Sequence, residues 1–132
     1  MSQEEKGSTD TIEFYWQEKQ ILRINICQGA EMDLEHSMKN SVALADFTGG
    51  RTYYQLVDAR ADYTITPEAR DYSAKEEVKS KVAARAVLIS SLAARLVTNF
   101  YSKSNPEERI RIFDNEESAL QWLRELKEKD GF

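Results

Sequence analysis

Ala83-Ala-Arg-Ala-Val-Leu-Ile89 is apolar at every position but Arg85, and Ser90-Ser91-Leu92 follows it directly. Seven residues are too few for a buried helix, and a strand with polar residues on one face would alternate. The run therefore reads as a central strand covered on both faces, as in parallel sheets. Either serine can cap a following helix, because its hydroxyl accepts from a first-turn amide. Leu92, Leu96 and Phe100 would then share one face of that helix.

The same strand-then-helix grammar extends in both directions. Downstream, Ile110, Ile112 and Phe113 mark a last strand and Asp114 to Ser118 supplies a capping region. Ala119, Trp122, Leu123 and Leu126 then form the i, i+3, i+4, i+7 stripe of a terminal helix. Upstream, Pro67 is placed for a first helical turn with Thr66 as N-cap, and that helix runs toward Val82. Before it, Thr52 to Ala59 reads as a buried strand and Asp62 to Ile65 as loop. Leu34, Met38, Val42 and Ala45 lie along one face of a helix over Asp33 to Phe47, which Gly49 and Gly50 stop. Ile12, Phe14 and Trp16, then Leu22, Ile24 and Ile26 after the polar break Gln17 to Gln20, read as a β-hairpin. The expected order is ββαβαβαβα: a small open mixed sheet of about five strands, mostly parallel, joined by right-handed crossovers, with one antiparallel edge strand from the hairpin.

With 132 residues the chain is sized for one domain. Met1 to Asp10 is polar and acidic and reads as a disordered arm, which leaves residues 11–132 as the folded α/β unit. That opening lacks the layout of a secretory signal, and no apolar run approaches a membrane span. A lone cysteine, Cys27, rules out an internal disulfide and fits a reducing cytoplasm. A net charge of −5 argues against nucleic acid, whose affinity comes from cations displacing counterions. The basic stretch Lys75 to Arg85 contains Glu76 and Glu77, as a solvated helix face does.

Ala86 to Tyr101 (AVLISSLAARLVTNFY) and Ile110 to Leu123 (IRIFDNEESALQWL) resemble an uncharacterised bacterial branch of the STAS-like group, the fold of the sporulation anti-sigma-factor antagonists. The resemblance covers roughly Thr11 to Leu126. It implies a regulatory domain that acts on other proteins; relatives with lipid-transfer-like topology imply a small-ligand carrier instead. In the phosphorylated antagonists a serine at a helix start is modified within a turn of Asp-Ser-Ser-Gly character. Here Ser90 and Ser91 occupy the turn, Leu92 stands where the glycine would, and no aspartate precedes them, so helix capping is their reading.

No catalytic constellation stands out. His36, the only histidine, sits beside Glu35 with no metal-ligand spacing around it, and Cys27 has no second cysteine. Gly49-Gly50 precedes a strand instead of opening a phosphate-binding helix. Glu76-Glu77 and Glu116-Glu117 suit exposed or N-terminal helix positions. No cofactor or metal is expected, and the chain is expected not to be an enzyme.

Open α/β sheets bind ligands outside the carboxyl ends of their strands. That rim gathers Asp58 and Arg60, Ser90 and Ser91 with Arg95 one turn behind them, and Asp114 and Asn115. Core packing accounts for most of Tyr53, Tyr54, Phe100, Tyr101 and Phe113, and any excess over what a thin sheet covers could line a partner surface; a hairpin carrying Phe14, Tyr15 and Trp16 could pair with a second copy in a homodimer. A protein-interaction module and a lipid or anion carrier are the two functions expected.

Overall fold

A computed structural model of the chain describes residues 5–79, 81–90 and 109–132. Eight strands are formed among the described residues: β1 Lys6–Ser8, β2 Ile12–Glu18, β3 Ile21–Ile26, β4 Ala30–Met32, β5 Tyr53–Asp58, β6 Tyr63–Ile65, β7 Val82–Leu88 and β8 Ile110–Phe113. Three helices accompany them among the described residues: α1 Leu34–Thr48, α2 Pro67–Lys79 and α3 Glu116–Lys129. Six strands make the main sheet in the order β1-β2-β3-β5-β7-β8, and β4 and β6 make a small second sheet. The hairpin pairs β1, β2 and β3 antiparallel, whereas β3, β5, β7 and β8 run parallel.

The mixed, mostly parallel sheet is the expected one, with three differences. First, Lys6–Ser8 is a strand where composition suggests a disordered arm. Gly7 lies opposite Phe14 in the register, and a Cβ there would overlap the Phe14 ring, so its missing side chain admits the strand. Second, Tyr63–Ile65, read as loop, pairs in parallel with Ala30–Met32. Three-residue strands are too short to display a period. This small sheet precedes both α1 and α2 and holds their starts together, with the Thr66 amide donating to the Met32 carbonyl at 3.0 Å. Third, Gln17 and Glu18 continue β2, and Lys19-Gln20 alone turns the chain, with Gln20 at φ 66°. Glu18 is held there by Arg124 of α3 at 2.7 Å, and Lys127 donates to the Lys19 carbonyl at 2.7 Å.

The caps follow the sequence. Thr66 Oγ1 accepts from the Ala69 amide at 3.1 Å, and Gly49 closes α1 in the left-handed region at φ 67°. His36 completes a capping box: its amide donates to Asp33 Oδ1 at 2.9 Å and its Nδ1 accepts from the Asp33 amide.

Two apolar layers sandwich the sheet. On one face Ile21, Tyr54, Leu56, Ala84, Ala86 and Leu88 are sealed by Ala119, Leu120 and Leu123 of α3. On the other, Ile12, Phe14, Leu22, Ile24 and Tyr53 pack against Ala43, Leu44 and Phe47 of α1. The Phe14 and Trp16 rings both meet Phe47, at centroid distances of 5.1 and 6.0 Å. Of the three hairpin rings expected to meet a second copy, Phe14 and Trp16 therefore pack inside the domain, Tyr15 is half-buried beneath Lys6 at 5.9 Å, and the outer edge of β2 is paired with β1. Tyr53 and Tyr54 are likewise buried, and Phe113 packs on Trp122. Phe100 and Tyr101, with the helix expected after Ser91, lie outside the described residues. The stripe Leu34, Met38 and Val42 faces solvent instead of the core. The residues of α1 that pack on the sheet are Ala43, Leu44 and Phe47, so its larger aliphatic stripe is turned outward.

Candidate functional site

Arg23 lies in the middle of β3, and strand alternation alone would turn it to water. Yet β3 is an interior strand, and the face opposite its Leu22 and Ile24 is roofed by α3, so Arg23 is only 9% exposed. A guanidinium in that position needs partners at each nitrogen. It has them. Nε donates to Asn25 Oδ1 at 2.9 Å, Nη2 meets Asp58 Oδ2 at 2.8 Å, and Nη1 meets Glu116 Oε1 at 2.8 Å. Parallel register places Asn25 beside Asp58, which is how two strand ends deliver their side chains to one point.

Arg60 closes the cluster from outside. Its backbone amide donates to Asp58 Oδ1 at 3.1 Å, and Nε and Nη2 grip the two carboxylate oxygens at 2.9 and 2.7 Å. Nη2 also lies 3.7 Å from Glu116. Two arginines and two carboxylates thus form a network with no net charge at the carboxyl ends of β3 and β5. The Arg60 hydrogen bonds, helped by the charge of Arg23, hold the Asp58 carboxyl down at about 2.

The other expected rim residues stand beside this cluster. Asn115 is the N-cap of α3, its Oδ1 accepting from the Ser118 amide at 2.9 Å, so that side chain is committed to the helix. Asp114 is exposed in the bend before it, and Ser90 is exposed just past β7. Ser91 and Arg95 lie outside the described residues. The structure joins Asp58 and Arg60 directly and adds Arg23 and Glu116, which the sequence reading passed over. Glu116 does enter the first turn of a helix, as its sequence position suggested, but its carboxylate also serves Arg23. An anion approaching this helix start would meet Asn115 already bonded and Glu116 and Glu117 in the first turn.

A second clasp ties the opposite end of the sheet. Asp130, just past α3, accepts from the Tyr54 hydroxyl at 2.5 Å and pairs with both terminal nitrogens of Arg109 at 2.8 Å. Arg109 and the Tyr54 hydroxyl hold this carboxyl at about 2 as well, and burial with the adjacent carboxylate pushes the Tyr54 phenol above its ordinary value. Both carboxyls titrate below their ordinary 3.8 in the folded chain, so the stability they add is complete above about pH 4 and lost as pH falls toward 2. Unfolding followed from pH 5 to pH 2 should show an acid limb in that window, shallower in Asp58→Asn. A wild-type profile flat to pH 2 contradicts the assignment.

An open groove of about 570 Å³ flanks α3 beside β8, lined by Arg111, Phe113, Gln121, Trp122 and Glu125 among others. The Arg111 guanidinium covers the Trp122 ring at 5.2 Å. Among the described residues no three His, Cys, Asp or Glu side chains converge as metal ligands, and no helix is long and apolar enough to cross a membrane.

The sheet order, the helix α3 roofing one face and the strand-end rim are those of a SpoIIAA-like, that is STAS-like, α/β domain. Residues 15–127 match the model of a domain of unknown function, DUF7793, and the chain belongs to that family. Its fold is similar to that of an uncharacterised DUF3478-family protein with a SpoIIAA-like fold from Shewanella loihica PV-4. The two share 18% identity at a TM-score of 0.62, over 93% of this chain and 98% of the other. No curated protein matches the chain.

Proposed function

We propose that the domain is a non-catalytic regulatory module that acts by binding another protein through its strand-end rim, in the cytoplasm of a bacterium. The observation that carries this reading is the closed network of Arg23, Asp58, Arg60 and Glu116. Its charges are satisfied from within, so the centre of the rim is pre-organised and electrically neutral. Such a surface packs against a partner without a large desolvation cost, whereas a site for a small anion would leave its cations open. Exposed Ser90 and Asp114 border it as polar contacts. The SpoIIAA-like fold supports the same reading as a fold-level analogy. Cys27, unpaired, suits a reducing compartment, and the net charge of −5 disfavours nucleic acid as the partner.

Native mass spectrometry of the chain purified from its own cells tests the reading. The expected spectrum shows a stoichiometric complex with a second protein, or a ligand-free dimer, and charge reversal by Arg60→Glu reduces the complex. A co-purified lipid or nucleotide at one equivalent would overturn it in favour of a carrier.

A further inference from the structure

Helix α1 exposes three large apolar side chains. Leu34, Met38 and Val42 are 41%, 47% and 62% exposed and account for three of the four large exposed hydrophobics among the described residues. They recur every four residues, and Ala45, also exposed, follows three residues after Val42. The stripe runs about 12 Å along the helix and lies across the sheet from Glu116, since α1 and α3 pack on opposite faces. Apolar residues gathered into one stripe mark an interaction surface, unlike single scattered ones.

Charge decides what fits there. Between Glu31 and Gly50 the chain carries Glu31, Asp33, Glu35 and Asp46 against one lysine, Lys39. Lys39 and Glu35 pair with each other at 3.3 Å, which leaves Glu31, Asp33 and Asp46 as the acidic charge of the stretch. A second copy docked through the same face would oppose this acidic border to itself, because a two-fold interface brings like patches together. Anionic lipid is repelled for the same reason. A helix whose apolar edge is flanked by lysines or arginines satisfies both the stripe and its border. We propose that the Leu34-Met38-Val42 face docks a basic amphipathic helix of another protein. The inference rests on the protein-interaction reading and gives it a second surface, and Met38 at the centre supplies a deformable contact.

Photo-crosslinking in the cells that make the protein tests it, with benzoylphenylalanine in place of Val42 in the full chain. The expected adduct is a peptide from another protein with helical apolar spacing and flanking lysine or arginine, and Met38→Glu in the same chain lowers its yield at least tenfold. Both positions are exposed, so the fold is kept, and circular dichroism confirms that. An adduct to the chain's own residues 34–45, to lipid, or to a partner segment without basic flanks overturns the inference, as does no adduct. A second probe replacing Ser90 separates the two proposals. Crosslinks from position 90 without any from 42 sink this one alone, while silence at both also removes the rim reading.

Discussion

Truncating Leu56 to alanine is expected to cost about 2–5 kcal/mol, toward the upper end of that range. Leu56 is fully buried in β5, at the centre of the layer that α3 seals. The cost of a cavity depends on whether the neighbours can fall into it. Here Ala84, Ala86 and Ala119 belong to the same cluster, and an alanine has no side chain to swing into the hole. Strand β5 is fixed on both sides by parallel ladders to β3 and β7, so the backbone cannot close in either. Urea unfolding should show a lower midpoint with an unchanged slope. A loss below 1 kcal/mol would mean that α3 re-seats on the sheet more freely than its packing implies.

Arg23→Met is expected to destabilise the domain by about 1–3 kcal/mol, below the ~3–5 kcal/mol of a fully buried broken pair. Asp58 keeps Arg60, and Glu116, with a side chain 39% exposed, can turn to water. What remains is a carboxylate at 18% exposure with one cation instead of two. The sharper measurement is a double-mutant cycle of Arg23→Met with Asp58→Ala. Coupling of about 1 kcal/mol or more is expected, because each single change leaves the other's charge with one ionic partner fewer. Additive effects would show that Arg23 contributes as an aliphatic stem alone, and would remove the basis for treating the rim as one unit.

These residues also mark how far the sequence could be read. The central strand, the hairpin, the starts of α2 and α3 and the end of α1 were legible because each carries a local signal: a continuous apolar run, a period of two, a capping side chain or a glycine. Strands β1, β4 and β6 were not, since three residues show no period and their pairing depends on distant partners. The α1 stripe was legible as a stripe but not in its direction, because spacing shows that residues share a face without showing what the face meets. Of the rim, Asp58 and Arg60 were found from their position after a strand. Arg23 was missed because alternation assigned it to solvent. The available signal was that β3 lies inside the sheet, where a strand has no solvent face, so a charged residue there calls for a carboxylate from the adjacent strand.

The placement of α3 has a consequence for how the domain is made. The parallel strands β3, β5 and β7 are connected through α1 and α2, which lie together on one side, while among the described residues the other side is sealed by α3, which follows every strand in chain order. During synthesis from the N-terminus, at about 5–20 residues per second, Ile21, Leu56 and Leu88 are therefore made seconds before the helix that covers them. In that interval the nascent sheet lacks Ala119, Leu120 and Leu123, the described residues that seal this face, and the burden on molecular chaperones falls on that side of it.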